Sequence, residues 1–328
     1  MPDERKRVLL FAAILGACIA VGGGYLGWTV THDAPAAPAA VAAAARLERG
    51  MLVFRSLDRT DGSYGTVAVV DAREPGSDRR LTGLQCDRVY ANTSGGLCLR
   101  RAQAFGIKFD AILFGPDFRP RRKIRMTGIP NRARISPDGR FGAVTSFVSG
   151  DSYATFGQFS TRTSIIDTGT GRTLLDLEKL IVTRAGRRLE AVDENFWGVT
   201  FAPTGGRFWV TLATRGKTYL VEGRVGSQHG RVLAENVECP SVSPDGTRIA
   251  YKKRVGDPAI WRLHVRDLAT GQETPLAETR PIDDQVEWLD SSGILYRVDE
   301  ETWSVQADGG GTSAVFLRRA DSPAVART

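Results

Sequence analysis

The chain has 328 residues, with 44 Lys and Arg against 37 Asp and Glu, for a formal net charge of +7. The basic excess is spread along the chain without a stripe interleaved with aromatics, which argues against nucleic acid as a partner and suits a surface near anionic lipid or polymer. Four cysteines with no CxxC and no His-bearing metal spacing disfavour a zinc site.

Arg5, Lys6 and Arg7 precede a run from Val8 to Val30 that holds no charged residue. Its 23 residues extend about 35 Å as a helix, enough to cross a bilayer core. A cleaved signal peptide has a shorter apolar core of about 7 to 15 residues, although Ala34, Ala36 and Ala37 offer a cleavage site. The expectation is a cytoplasmic basic stub over 1–7 and one transmembrane helix or signal anchor over 8–30. By the positive-inside rule everything after it lies on the extracytoplasmic side; it is secreted if the segment is cleaved. Residues 31–45 are an Ala/Pro-rich linker with no face able to build a core. Residues 46–328 suffice for one large all-β domain.

Within that domain, short strand-like runs are separated by polar, Gly-rich turns. They group into six units beginning near Met51, Leu84, Ile129, Ile181, Glu238 and Pro281. Trp261-Arg262-Leu263-His264-Val265 shows the strand alternation, with three apolar residues on one side. The punctuation recurs at roughly 45-residue spacing: Ser136-Pro137-Asp138-Gly139, Ala202-Pro203-Thr204-Gly205, Ser243-Pro244-Asp245-Gly246 and Asp290-Ser291-Ser292-Gly293. This is type I turn chemistry: Pro presets φ at the second position and Gly accepts the fourth. Four short strands per unit make a propeller blade, which cannot bury its faces without neighbours. The first unit lacks an innermost strand. The last has a surplus, Ala320 to Ala326, and is expected to supply it and leave no open edge.

On these turns and units, residues 46–328 resemble the TolB-like six-bladed β-propellers built on WD-type repeats. The resemblance is strongest in the third, fifth and sixth units. It implies an all-β, six-bladed propeller closed by its C-terminal strand, acting as a non-catalytic extracytoplasmic binding or scaffolding domain. The family's namesake carries a second domain ahead of its propeller; here the Ala/Pro linker occupies that place.

Cys18 lies in the apolar run. Cys86 and Cys98 fall on what read as paired strands of one hairpin and are the favoured disulfide, with Cys98 facing Tyr90 if the loop centres near Ser94; Cys239 is left free or paired elsewhere. Material for catalysis is thin. No G-x-S-x-G elbow occurs, Gly62-Ser63-Tyr64-Gly65 having the wrong spacing. Of three histidines, His32 abuts the apolar run, His229 reads as a turn residue and His264 as a strand-face residue. There is no P-loop and no EF-hand loop. No cofactor, metal or enzymatic activity is expected.

The one suggestive constellation is acidic. Loops entering the inner strands of a propeller gather at one mouth of its channel, and three of them carry carboxylates: Asp193-Glu194-Asn195, Glu235-Asn236 with Glu238, and Asp283-Asp284-Gln285. Lys252, Lys253 and Arg254 partly neutralise them, and Trp197 stands beside them. The candidate partner-binding residues are therefore Asp193, Glu194, Asn195, Trp197, Glu238, Lys253, Arg254, Asp283, Asp284 and Gln285. The partner expected is a protein or cell-envelope polymer, bound by a monomer. The alternative is a cell-envelope hydrolase or lyase using two carboxylates of this mouth. The basic run Arg119 to Arg125 reads as a solvated strand and turn, and most of Phe196, Phe201, Phe208, Trp209, Trp261, Trp288 and Trp303 as core between blades.

Overall fold

The alternating runs fold into strands that stack radially as six blades. The structure, a computed structural model, describes residues 45–102, 108–148, 160–256 and 260–327. The expected stub and apolar helix, and nearly all of the linker, lie outside the described residues, as does Cys18. Among the described residues no helix is long and apolar enough to cross a membrane.

Blade 1 contains β1 (Met51–Ser56), β2 (Thr66–Asp71) and β3 (Arg80–Gln85); blade 2 is β4 (Arg88–Asn92), β5 (Gly95–Arg101), β6 (Lys108–Phe114) and β7 (Pro120–Thr127). Blade 3 is β8 (Ile129–Ile135), β9 (Phe141–Val148), β10 (Ser160–Asp167) and β11 (Thr173–Asp176). Blade 4 carries a small extension, β12 (Ile181–Arg184) and β13 (Arg187–Arg188), before β14 (Asn195–Phe201), β15 (Arg207–Thr214), β16 (Lys217–Arg224) and β17 (His229–Glu235). Blade 5 is β18 (Glu238–Val242), β19 (Arg248–Val255), β20 (Ile260–Asp267) and β21 (Glu273–Pro275). Blade 6 is β22 (Glu287–Trp288), β23 (Gly293–Val298), β24 (Glu301–Gln306) and β25 (Ala314–Arg318).

The expected closure is formed. The last strand, β26 (Ala320–Val325), pairs antiparallel with β1, setting Val53 opposite Ala324, and the sheet order becomes β26-β1-β2-β3. Each seam between neighbouring blades then holds its own apolar cluster. Trp209, Leu220, Ile249 and Tyr251, all at most 1% exposed, join blades 4 and 5. Leu97, Leu99, Ile135 and Val144 join blades 2 and 3, and Leu52, Phe54, Leu295 and Leu317 join blades 6 and 1. Burying one such Leu or Phe side chain stabilises by about 1.5–3 kcal/mol. Phe196, Phe201, Phe208, Trp209 and Trp288 are buried as expected, whereas Trp197, Trp261 and Trp303 are only partly covered.

The repeated turn works through its side chains. The Ser136 hydroxyl donates to Asp138 (2.6 Å) and accepts from the Phe141 N–H (2.9 Å), while the Gly139 N–H closes the turn onto the Ser136 carbonyl (2.8 Å). Gly139 has φ +73°, and a Cβ there would stand 2.2 Å from Ser94 Oγ, so conformation and crowding both require Gly. Ser243, Asp245, Arg248 and Gly246 repeat these bonds in blade 5.

Four details depart from the sequence reading. Ile181 begins not the inner strand of blade 4 but its added outer strand, parallel to β17, and His229 opens β17 instead of lying in the turn before it. Cys98 stands opposite Val89 instead of Tyr90, because the β4–β5 hairpin turns on Thr93-Ser94 and its centre falls half a residue before Ser94. The Cys86–Cys98 disulfide is present (Cα–Cα 5.5 Å), but Cys86 lies beyond β3 with its N–H on the Gly65 carbonyl. The bond therefore staples blade 1 to blade 2 instead of spanning one hairpin. Cys239 is free and buried.

Candidate functional site

The innermost strands β26, β4, β8, β14, β18 and β22 adjoin one another around the axis. A strand turns alternate residues to one side, and on β8 this delivers Arg132 and Arg134 to carboxylates contributed by blade 6. Toward the loop mouth, Arg132 meets Asp284 (3.2 Å), which is also 3.6 Å from Arg88. Arg88 reaches Asp321 of the closing strand as well (3.1 Å), and Arg55 and Arg297 complete the surroundings of Asp321 at 3.7 and 3.5 Å. Deeper toward the turns, Arg134 pairs with the buried Glu287 and donates to Ser241 Oγ (3.1 Å) and to the Val286 carbonyl (2.6 Å). The other Glu287 oxygen accepts from Arg327 (2.6 Å) and the Tyr90 hydroxyl (3.4 Å). The Arg134 guanidinium lies 4.5 Å from the Tyr90 ring centre. Among the described residues this channel network sets six guanidiniums, Arg55, Arg88, Arg132, Arg134, Arg297 and Arg327, on three carboxylates, Asp284, Glu287 and Asp321.

The protonation states follow. Burial raises the Asp284 carboxyl, but Arg132 and then Arg88 outweigh it and hold it at about 2. Burial, and then the charge on Glu287, push the Tyr90 phenol up, so it remains a neutral donor. The space left in the loop half, between Arg88, Arg132, Asp284 and Ser322, is about 30 Å³, room for a water or two. The turn half opens into a recess of about 270 Å³. Every blade contributes to its wall, Val325 from blade 1, Asn92 from 2, Pro137 from 3, Thr200 from 4, Ser243 from 5 and Glu287 from 6, so it lies on the axis.

The acidic loops are placed differently from one another. Asp193 caps a turn, accepting from the Thr214 hydroxyl and the Arg215 N–H (2.6 Å each), which hold its carboxyl low. Burial raises Glu194. Asn195 bridges to blade 3 through the Thr161 N–H (2.8 Å), and Trp197 pairs within β14–β15 opposite Thr211. Glu238 is buried against Arg254 (2.8 Å), whereas Asp283, 67% exposed, pairs with the buried Lys252. Gln285 donates to the Val199 and Pro240 carbonyls (3.2 and 2.9 Å), tying blades 4, 5 and 6 together. Lys253 pairs with Glu273 of β21, away from these carboxylates. No three acidic, Cys or His side chains among the described residues converge as metal ligands.

Arg88, Arg132, Arg134, Glu287, Asp321 and Arg327 were missed in sequence. The available signal was Arg132 and Arg134, two apart on the first strand of a blade, where an alternating polar face looks onto the axis instead of onto solvent.

No family model matches the chain, and no curated protein matches it. Solved structures do. TolB from Acinetobacter baumannii is 15% identical, with a TM-score of 0.60 over 85% of this chain and 67% of that one. A TolB-assigned structure from Agrobacterium tumefaciens is 12% identical, with a TM-score of 0.49 over 82% and 88% of the two chains. A chain of a nidogen/laminin complex is 13% identical, with a TM-score of 0.48 over 84% and 97%. The chain has the TolB-like six-bladed β-propeller fold.

Proposed function

We propose that this chain is a non-enzymatic binding or scaffolding module that engages a protein or cell-envelope polymer along its channel axis. The channel network carries the reading. Its carboxylates are each held by arginines, Asp284 is far too acidic to act as a general acid at neutral pH, and the loop half has no room for a substrate. A hydrolase or lyase would need the reverse arrangement, an accessible pair with separated pKa values. Asp193, Glu194, Asn195, Trp197, Glu238, Arg254 and Asp283 to Gln285 would form one rim for the partner, and the turn-side recess the other.

The module would act as a monomer on the extracytoplasmic side, tethered by residues 8–30. The Cys86–Cys98 bond supports that side, since such bonds persist in oxidising compartments. Site-specific photo-crosslinkers in the intact envelope test the reading. Positions 197 and 283 on the rim should trap one defined partner, and position 316 on the outer strand β25 should not. Equal capture at all three, or capture at none, refutes it.

A further inference from the structure

We propose that the recess at the turn mouth is a carboxylate site, taking a ligand that joins an apolar body to one carboxylate, as a peptide C-terminus ending in an apolar residue does. The proposal rests on the binding-module reading above and names the ligand chemistry of that axis.

The wall is rich in donors and poor in acceptors. Its charged groups are three guanidiniums, Arg49, Arg134 and Arg327, against the single carboxylate of Glu287. Both oxygens of Glu287 are already committed, one to Arg134 and one to Arg327. Arg49 is exposed at the rim and has no ion-pair partner among the described residues. Two buried hydroxyls add to this. Thr200 Oγ1 accepts from the Val242 N–H (3.0 Å) and Ser241 Oγ from Arg134 (3.1 Å), so each keeps its hydrogen to donate, with no acceptor among the described residues. The Asn92 amide N–H groups are held by the Ser136 and Pro137 carbonyls. What the wall lacks is an anion. Arginine meets a carboxylate with short, charge-assisted bonds, and a partly enclosed site strengthens them.

The collar supplies the apolar half. Pro137, Pro203 and Pro244, the second residues of three of the repeated turns, stand around the mouth with Phe201. The motif that punctuates the blades thus also lays an apolar ring over a cationic floor. A volume of about 270 Å³ suits one residue and its carboxylate, not a folded surface.

Calorimetric titration of the full chain with N-acetyl-Ala-Ala-Leu as free acid, with the same peptide as C-terminal amide, and with hexanoate tests this. The acid is expected to bind at least about tenfold more tightly than the amide. Hexanoate binding as tightly as the acid supports the carboxylate site and assigns it to free organic acids; hexanoate binding far more weakly assigns it to peptide termini. Arg49→Ala, at an exposed residue, keeps the fold and should cost the acid about tenfold in affinity while leaving the amide unchanged. Arg327→Met should act in the same direction. Equal binding of acid and amide, no binding of any probe, or an Arg49→Ala variant of unchanged affinity overturns the proposal. Failure of the acid to bind while the envelope crosslink persists removes the carboxylate chemistry alone. Acid binding without any crosslink supports the site and removes the macromolecular partner.

Discussion

Arg134 and Glu287 form an ion pair across the axis, from blade 3 to blade 6, which face each other in a six-membered ring. Their side chains are 7% and 3% exposed, so each charge is held mainly by protein groups. Arg134→Met leaves Glu287 with Arg327 and the Tyr90 hydroxyl and should destabilise by about 1–3 kcal/mol, and Glu287→Met should cost less in the Arg134→Met background than on its own. Denaturant unfolding of the two singles and the double checks it; additive losses would show that the pair is not coupled.

Glu178, after β11, is the opposite case, a largely covered carboxylate with no cation paired to it among the described residues. Burial pushes it up to about 8, against the opposing bond from the Thr163 N–H (2.9 Å). The folded chain thus holds a proton that the unfolded chain releases near the ordinary carboxylate value. Stability should fall as pH rises from about 4.5 toward about 8 and level off above. Glu178→Gln should abolish that slope and raise stability at pH 8 by on the order of a few kcal/mol. Melting temperatures across this range, wild type against variant, decide it.

Asp284 contributes with the other sign. Its carboxyl is held at about 2, below the ordinary 3.8, so its stabilisation is complete above about 3.8 and is lost as pH falls through about 2. Asp284→Asn should remove that acid-side loss and cost stability at pH 7, read by denaturant midpoint at both pH values.

The Cys86–Cys98 bond closes a loop with a sequence separation of 12, for which chain-entropy reasoning gives a stabilisation of about 2–3 kcal/mol. The Cys86→Ser, Cys98→Ser double variant should lower the denaturation midpoint accordingly relative to the wild type. The buried Cys239 thiol should resist alkylation until the ring opens.

Architecture was legible because the turn carries its own chemistry: in the two full copies Ser136 bonds Asp138 and Ser243 bonds Asp245 within the turn itself, so the motif marks a blade without reference to the rest. The closing strand was legible by elimination, one unit short of a strand and one in excess. The channel was not. Arg132 and Arg134 alternate with apolar residues as any solvent-facing pair would, and only the ring turns their side of β8 inward. The holding partners of the acidic loops were not legible for the related reason that Asp193 and Glu238 look free in sequence, whereas Thr214, Arg215 and Arg254 hold them in space.

The pairing of β1 with β26 also sets a timetable. The first strand of the ring waits for a neighbour that is made last, so the seam between blades 6 and 1, with Leu52 and Phe54 on one side and Leu317 on the other, cannot be sealed while the chain is still emerging from a ribosome or a translocation pore. Until Ala320–Val325 arrives, an unpaired strand edge is open to any other chain nearby. A nascent or C-terminally clipped copy is therefore the species most exposed to misassembly, and a helper that shields β1 during that interval would protect the whole ring.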